Sequence, residues 1–392
     1  MIAIVGGGPA GLSTALFLHH VAPELARRAV VLEKGRYPRE KICAGAIGGR
    51  ALDLLASIGA RPDVPHVAVR GIAVTTRHGR LVERCDETCG WIVRRREFDA
   101  GLAAVARARD VVIEEGASVR AIHREADGFR IEMETGATHR ARVVVGADGV
   151  GSIVRRSLGW TRGKVVAQAV EIDTERSASD LPPDVMHFDL TSNSTRGYAW
   201  DFPTPLDGQV RMSRGVYDLG PRVEDPGAAL DRRTEGERKV GAKRRFSERG
   251  AVVGEVLSRH GVLLVGEAAG IDPVLGEGIA QAIYYGASAA HYLARALGAG
   301  RLGFEDYEPL APRSRHSPRS EPERRLALDL SIRARALDHV YGETRETLER
   351  TVARSHAFAR AGLDYFAGRR VSRLDLLRAG SHLARARFRW GA

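Results

Sequence analysis

The chain has 392 residues, 44% of them hydrophobic, and its 60 Lys and Arg residues against 49 Asp and Glu residues give a net charge of +11. This length predicts two or three domains, or one large domain with insertions, and the charge suits an anionic ligand or surface. We expect no nucleic-acid binding, because basic and aromatic residues are not interleaved. The chain shows no signal peptide and no apolar run near the ~20 residues of a membrane-spanning helix, so we expect a cytoplasmic protein.

The N-terminal stretch predicts a strand at 1–5, a helix from Pro9 to about His20 and a second strand at 29–32. Gly6, Gly8 and Gly11 have G-x-G-x-x-G spacing, which permits a tight turn, close approach to a pyrophosphate and close helix packing. Glu33 follows the second strand at the offset where an acid accepts hydrogen bonds from ribose hydroxyls. The stretch therefore predicts a dinucleotide site for FAD or NAD rather than NADP.

A basic, glycine-containing loop follows Glu33 and leads into a helix near Gly49. The loop carries Arg36, Arg39, Lys41, Cys43 and Gly45. Loops at this place in such folds tend to lie over the cofactor, so the cations are expected to face phosphates or substrate. The alternative is a solvated basic loop.

Residues 66–82 alternate in strand fashion, and a short strand and a helix follow, with Arg95 near the start of the helix. Arg95 either contacts the cofactor or positions the helix. Cys85 and Cys89 have no further cysteines in reach for a zinc site, so we expect unpaired thiols in a reducing compartment and no metal site. Two strands are expected around 111–114 and 129–134, with a hairpin-like turn at 126–128.

A second acid-glycine turn follows the apolar run that ends at Gly146. Asp148 and Gly149 turn the chain, and Ser152 begins a helix. A buried parallel strand that ends this way places polar groups at the carboxyl edge of a sheet, where open α/β folds bind ligands. Alone, Asp148 would more often be a turn or N-cap residue.

Residues 164–254 consist of short alternating runs that predict a mainly antiparallel sheet inserted into the nucleotide domain. Tyr198, Trp200 and Phe202 alternate and so share one face of a strand that Pro203 is expected to end. This face is interpreted either as a substrate wall or as a plain sheet core.

The third turn follows an apolar strand at 262–265. Gly266 and Glu267 begin it, and Pro273, Gly276 and Gly278 open a helix that reaches about Leu297. Glu267 suits a ribitol hydroxyl, and the helix N-terminus suits the anionic edge of a reduced flavin. The three turns in this order favour FAD.

The remainder, 301–392, is expected to be helical, with a linker confined by Pro312, Pro318 and Pro322. Residues 372–392 alternate leucines with arginines as a basic amphipathic helix. It is interpreted either as a cap on the domain with a solvated arginine face or as an element that contacts a membrane surface.

These signatures together resemble the FAD-dependent oxidoreductases of the p-hydroxybenzoate hydroxylase fold, and within them the geranylgeranyl reductase family. The likeness rests on the fingerprint at 6–11, P-R-E-K-I-C-A-G at 38–45, R-R-E-F-D at 95–99, G-A-D-G at 146–149, Y-A-W-D-F-P at 198–203 and D-P-V-L-G-E-G-I at 272–279. Two departures are Arg214, where the family usually carries G-x-G soon after F-P, and Glu267, where aspartate is usual. Arg214 would suit a polar or anionic substrate.

The resemblance implies reduction of isolated double bonds of isoprenoid chains by reduced FAD, with Cys43, Tyr198 and Trp200 as catalytic residues. Tyr198, Trp200, Phe202 and Arg214 are the expected substrate-binding residues. Cofactor binding is assigned to Gly6, Gly8, Pro9, Ala10, Gly11, Glu33, Lys34, Lys41, Cys43, Ala44, Arg95, Asp148, Gly149, Gly266, Glu267, Pro273, Gly276, Gly278 and Ile279. The expected electron donor is NAD(P)H or a reduced ferredoxin or flavin, and because no second nucleotide fingerprint occurs, the choice among them stays open.

We therefore expect an α/β protein with a Rossmann-like FAD-binding domain at 1–75, 90–163 and 255–300. A mainly antiparallel substrate domain is expected at 76–89 and 164–254, and a helical region at 301–392. The expected function is an FAD-dependent reductase acting on a prenyl or other lipophilic substrate. The alternatives are a flavin monooxygenase or halogenase, and a non-redox flavoprotein such as an isoprenoid cyclase.

Overall fold

The computed structural model describes residues 1–161, 166–191, 196–220, 224–311, 319–342 and 344–371. Within these ranges the chain forms four β-sheets and ten α-helices. The strands are β1 (Ile2–Val5), β2 (Ala29–Glu33), β3 (Ala46–Gly48), β4 (His66–Val69), β5 (Gly71–Thr76), β6 (Gly79–Arg84), β7 (Gly90–Val93), β8 (Val112–Glu115), β9 (Val119–Glu125), β10 (Gly128–Met133), β11 (Thr138–Ala141), β12 (Val143–Gly146), β13 (Val166–Thr174), β14 (Val185–Asp189), β15 (Gly197–Leu206), β16 (Gln209–Asp218), β17 (Lys239–Arg249), β18 (Ser258–Arg259) and β19 (Val262–Leu264). The helices are α1 (Pro9–Val21), α2 (Pro23–Ala26), α3 (Gly49–Ser57), α4 (Arg95–Arg107), α5 (Ile153–Ser157), α6 (Pro226–Arg233), α7 (Gly278–Gly298), α8 (Glu321–Val340), α9 (Arg345–Val352) and α10 (His356–Ala367).

The nucleotide-binding part is built on a six-stranded sheet in the order β18-β19-β12-β1-β2-β8. The five strands from β19 to β8 run parallel, and only β18 is antiparallel to its neighbour. The central strands β1, β2, β12 and β19 are buried at every residue. Such continuous apolar runs are typical of parallel strands that are covered on both faces, so the predicted Rossmann-like core is confirmed.

Helices α1 and α7 cross closely over this sheet. Gly286 makes the crossing possible, because a Cβ there would lie 2.6 Å from the Cβ of Ser13 and from the backbone nitrogen of Thr14. A three-stranded sheet, β11-β10-β9, packs against β12. The N-termini of α1 and α7 are therefore held in one rigid layer.

The second large unit is a seven-stranded sheet in the order β17-β13-β16-β15-β14-β5-β6, and all its pairings are antiparallel except that between β14 and β5. This confirms the inserted, mainly antiparallel sheet. The expected domain boundary at residue 76 falls at the end of β5. Because β5 pairs with β14 and β6, residues 71–84 belong to this sheet together.

A small sheet, β3-β7-β4, links the two units. The turn between β6 and β7 brings the sulfur atoms of Cys85 and Cys89 close together, but their Cα atoms lie 7.7 Å apart, farther than a disulfide normally spans. Both sulfurs also donate to the backbone oxygen of Glu87, at 3.0 and 3.5 Å, and the expectation of unpaired thiols stays a prediction. Cys43 is a free cysteine.

The C-terminal part is helical, as expected, with α8 packed against α7 and with α9 and α10 packed on the seven-stranded sheet. Pro322 lies in the first turn of α8, where a missing N–H costs nothing. Pro312, Pro318 and the basic stretch 372–392 lie outside the described residues. None of the helices described is long and apolar enough to cross a membrane.

Candidate active site

The N-terminal glycine turn has the geometry that close approach to a ligand requires. Gly6 has φ +104°, and a Cβ there would lie 2.4 Å from the carbonyl oxygen of Ala147. A Cβ on Gly11 would lie 1.9 Å from the carbonyl oxygen of Gly6. Helix α1 starts directly behind the turn, and its N-cap Gly8 offers no side-chain cap. The first amides of α1 are thus left for an anion.

Two guanidinium groups face this turn. A Cβ on Gly8 would lie 3.7 Å from Nη2 of Arg95 and 3.9 Å from Nη2 of Arg39. Both arginines are held by the buried Asp99, to which Arg95 donates two hydrogen bonds, of 2.7 and 2.8 Å, and Arg39 forms an ion pair of 3.0 Å. Burial lowers the pKa of Arg95, but Asp99 outweighs that effect and leaves the pKa raised. This pocket of helix amides and fixed cations fits a pyrophosphate.

Glu33 lies beside the same turn at the carboxyl end of β2. Its carboxylate accepts hydrogen bonds from the backbone N–H groups of Gly7 and Gly35, both at 2.8 Å, and forms an ion pair with Arg39 at 3.0 Å. Nη2 of Arg39 donates a third hydrogen bond to it at 3.2 Å. Because a carboxylate has about four acceptor positions, one remains for a ribose hydroxyl. Lys34, the next residue, is exposed.

The other two predicted turns meet the first at the same edge of the sheet. The carboxylate of Asp148 accepts from the hydroxyl of Ser152 at 2.6 Å and from the backbone N–H of Val154 at 3.1 Å, so Asp148 caps α5. A Cβ on Gly149 would lie 3.6 Å from Oε2 of Glu267. Gly6, Asp148 and Glu267, which are far apart in sequence, thus belong to one site.

Arg155 ties these turns together and was not predicted from the sequence. Its buried guanidinium donates to the carbonyl oxygens of Ala268 and Thr161, at 3.0 and 2.8 Å, and pairs with Glu255. It therefore fixes the loop after β19 against α5. Its position in A-D-G-V-G-S-I-V-R, directly after the second turn, was the available signal.

A cavity of about 410 Å³ lies between this edge of the sheet and the seven-stranded sheet. Its walls are mostly apolar and come from β13 to β17, the loop before α7, and helices α8 to α10. The predicted site residues that line it are Cys43, Ala44, Tyr198, Trp200, Phe202, Gly276, Gly278 and Ile279. Such volumes and linings are typical of small-molecule sites.

The aromatic face of β15 forms one wall of the cavity. Tyr198 stacks on Tyr217 at 5.3 Å between ring centroids, and Phe188 contacts Tyr198 and Phe202 at 5.3 and 5.1 Å. Pro203 does not end this strand, which continues to Leu206. The aromatic residues therefore form a continuous surface across β14, β15 and β16.

The indole of Trp200 occupies space that Gly215 leaves open. A Cβ on Gly215 would lie 2.1 Å from the indole, and the Trp200 N–H donates to the hydroxyl of Ser213 at 3.3 Å. Ser213-Arg214-Gly215 stands where the family usually has G-x-G. The indole of Trp200 still fits there, because Ser213 accepts its hydrogen bond and Gly215 leaves space for the ring.

Cys43 lies at the junction of the loop after β2 with the cavity. Its Sγ accepts from the backbone N–H of Gly45 at 3.4 Å. Burial raises the pKa of the Cys43 thiol, and the opposing effect of Arg95 does not cancel it. The thiol is therefore neutral at physiological pH.

Arg214 does not line the apolar cavity but a separate polar cavity of about 300 Å³, so its expected role as a substrate-binding residue stays a prediction. It pairs with Asp201 across β15 and β16, so its side chain lies on the opposite face of the sheet from Trp200. There it binds Asp180 at 2.8 Å, Asp201 at 3.1 Å and the Thr174 hydroxyl at 2.9 Å. Its charge is balanced within the protein.

The signal that would have placed Arg214 is the Asp207-Gly208 turn. Both residues have positive φ, +51° and +72°, and they form a two-residue hairpin that pairs Leu206 with Gln209. Counting back from this turn pairs Asp201 with Arg214.

The fold and the site together define a flavoprotein of the p-hydroxybenzoate hydroxylase type. The chain belongs to the FAD binding domain family, which matches residues 1–310. Within that class it belongs to the geranylgeranyl reductase family. It is 30% identical over 325 residues to digeranylgeranylglycerophospholipid reductase 1 of Methanopyrus kandleri, covering 76% of this chain and 80% of that protein. The protein is therefore an FAD-dependent oxidoreductase.

Solved structures agree on the fold. A geranylgeranyl bacteriochlorophyll reductase-like protein from Thermoplasma acidophilum superimposes with a TM-score of 0.69 at 20% identity, covering 96% of this chain and 94% of that one. A flavin-dependent brominase superimposes with a TM-score of 0.67 at 16% identity, covering 98% of each chain. Because these identities are low, the likenesses concern the fold and do not choose a reaction.

Proposed function

We propose that the protein uses reduced FAD to saturate carbon-carbon double bonds of a prenyl or other lipophilic substrate. The observation that carries the proposal is the aromatic and aliphatic cavity against the N-terminus of α7. An unactivated alkene has no polar handle near its double bond, so it must be held by shape and apolar contact. Reduced FAD supplies hydride when bound.

The residues of this chain take separate roles in the proposal. The glycine turn, Arg39 and Arg95 hold the pyrophosphate, Glu33 holds a ribose, and Glu267 faces the ribitol. Tyr198, Trp200 and Phe202 exclude water and align the substrate chain. The absence of Arg214 from the lining of the apolar cavity supports an apolar substrate, because Arg214 was the cation expected to bind a polar one.

The test is an anaerobic single turnover. Chemically reduced holoenzyme mixed with a prenyl lipid or prenyl quinone is expected to give oxidised flavin and a product heavier by two hydrogens per double bond. A reaction that needs oxygen would contradict the proposal and favour a monooxygenase or halogenase. Product formed while the flavin stays oxidised would favour a non-redox flavoprotein such as a cyclase.

The electron donor is a separate proposal. We propose a transient donor, NAD(P)H or a reduced ferredoxin or flavin. Anaerobic mixing of the oxidised holoenzyme with each donor, followed by the flavin absorbance, tests this. Bleaching by none of them would contradict it.

The basic stretch 372–392 supports a further proposal, contact with an anionic membrane surface that delivers a lipophilic substrate. Deletion of these residues is expected to weaken binding to anionic liposomes while FAD binding stays unchanged. Unchanged liposome binding would contradict the membrane proposal alone.

A further inference from the structure

Glu248, near the end of β17, contributes a carboxyl group to the wall of the apolar cavity. Two other carboxylates of the wall, Glu277 and Glu349, are paired with arginines. Glu248 differs from both. In the part of the chain that the structure describes, its Oε2 is buried and has no hydrogen-bond partner.

The position of this oxygen is fixed relative to the start of α7. A Cβ on Gly276 would lie 2.5 Å from Oε2 of Glu248, and Gly276 has φ +66°. A side chain at residue 276 would therefore both strain the backbone and displace the carboxyl group. Glu248 lies at the end of the cavity that residues 276–279 form, which is where the proposed function places the flavin ring.

Three tyrosines of the cavity wall, Tyr198, Tyr217 and Tyr341, are not free to donate a proton. The hydroxyl of Tyr198 donates to the carbonyl oxygen of Leu275, that of Tyr217 to Pro273 at 3.4 Å, and that of Tyr341 to Val274 at 2.7 Å. All three protons are thus committed to the backbone just before α7. Burial also raises the pKa of these three phenols.

The surroundings of Glu248 favour the protonated acid. Burial raises its pKa, and Glu267, Asp272 and Glu171 add to this effect, whereas Lys41 opposes it. The neutral tyrosines 198 and 217 and the neutral thiol of Cys43 are the other titratable groups at this end of the cavity. A carboxylic acid that stays protonated at neutral pH in a dry site can act as a general acid.

We propose that Glu248 is the proton donor of the reduction, an inference that rests on the proposed function. The alkene takes a hydride from reduced FAD at one carbon and the Glu248 proton at the other. Its π bond breaks and two C–H bonds form. The flavin loses two electrons, and the Glu248 carboxylate takes a proton back from water before the next turnover.

The test compares Glu248→Gln with Glu248→Asp and with a matched control, Glu171→Gln. Glu171 is a buried carboxyl on the neighbouring strand β13, but Arg244 pairs with it at 3.1 Å and it does not line the cavity. In the anaerobic single turnover, Glu248→Gln is expected to slow product formation roughly 100-fold to 10,000-fold. Glu248→Asp should restore part of the rate, and Glu171→Gln should stay within a few-fold of wild type.

Flavin binding and chemical reduction of the flavin must be unchanged in Glu248→Gln. Equal turnover of wild type and Glu248→Gln would overturn the inference and leave the reductase proposal intact. A Cys43→Ser variant that forms no product, together with full activity of Glu248→Gln, would also overturn the inference, because the proton would then come from Cys43. Wild-type enzyme that reduces no alkene would instead overturn the proposed function.

An infrared titration of the oxidised protein gives a readout that does not depend on turnover. The carbonyl stretch of a protonated carboxyl should persist at neutral pH in wild type. Glu248→Gln should lose a larger part of it than Glu171→Gln, because burial raises the pKa of Glu171 only to about 7 and leaves that carboxyl partly ionised. A Glu248→Gln spectrum identical to wild type at neutral pH would show that Glu248 is ionised and would overturn its role as an acid.

Discussion

At the scale of single residues, the site depends on glycines that serve opposite purposes. Gly11 is required by the protein itself, since a Cβ there would lie 1.9 Å from the backbone oxygen of Gly6. Gly8 has no such constraint, because the nearest atoms to a Cβ would be guanidinium nitrogens at 3.7 and 3.9 Å. The space in front of Gly8 is therefore kept open for a ligand.

These two glycines predict separable effects of alanine. Gly11→Ala is expected to destabilise the apo protein by about 1–3 kcal/mol, because a backbone clash must be relieved. Gly8→Ala should leave apo stability unchanged and weaken FAD binding at least about tenfold, or ~1.4 kcal/mol. Urea unfolding of the apo protein and a fluorescence titration with FAD measure both. Full FAD affinity in Gly8→Ala would contradict the placement of the pyrophosphate.

Arg214 carries a second prediction. Its side chain is 6% exposed and holds Asp180 and Asp201, so Arg214→Met leaves buried carboxylates without their partner, at a cost of about 3–5 kcal/mol. The control Arg232→Met removes an ion pair of a 65% exposed side chain, which is worth about 0–1 kcal/mol. Urea unfolding gives both values. If Arg214→Met instead raised the KM for the substrate and left the free energy of unfolding unchanged, Arg214 would be a substrate-binding residue.

At the scale of elements, the sequence pattern predicted those strands whose burial shows in their own residues. The parallel strands were recognisable because β1, β12 and β19 are continuous apolar runs, and the aromatic wall because β15 alternates. Contacts set by distant partners were not recognisable. The carboxyl of Glu248 reaches the cavity only because β17 pairs with β13, and nothing in the sequence around residue 248 fixes that pairing.

The crossing of α1 and α7 gives an element-scale prediction. Gly286→Ala places a Cβ 2.6 Å from atoms of Ser13 and Thr14, so it must separate the two helices and is expected to cost about 1–3 kcal/mol. Gly298→Ala, at the end of the same helix, meets nothing within 4 Å and should be neutral or stabilising by up to about 1 kcal/mol. Thermal unfolding of the two apo variants provides the comparison. Equal melting temperatures would show that the helices are not in close contact.

At the scale of the whole molecule, the pKa values of buried carboxyl groups shift in opposite directions on the two sides of the seven-stranded sheet. Behind the sheet, burial raises the pKa of Asp201, but His187, Arg233 and Arg214 outweigh it and lower the pKa overall. On the cavity side, burial dominates and raises the pKa of Glu171, Glu248 and Glu267. Arginines therefore keep Asp201 ionised behind the sheet, whereas burial favours the protonated form of Glu171, Glu248 and Glu267 on the cavity side.

The raised pKa of Glu171 makes the free energy of unfolding depend on pH. Burial raises the pKa of Glu171 to about 7 from 4.5, with Arg244 opposing and Asp173 adding to the rise. Between these pH values the folded protein keeps a proton that the unfolded chain releases, so the Glu171 contribution is lost as pH rises from 4.5 to about 7 and amounts to about 3 kcal/mol.

Glu171→Gln removes this titration, so its free energy of unfolding should rise relative to wild type by about 3 kcal/mol between pH 4.5 and pH 7. Urea unfolding of the apo proteins across that range measures the difference. The exposed control Glu235→Gln should run parallel to wild type. If Glu171→Gln also runs parallel to wild type, Glu171 ionises normally, and the Arg244 pair rather than burial governs the cavity face of β13.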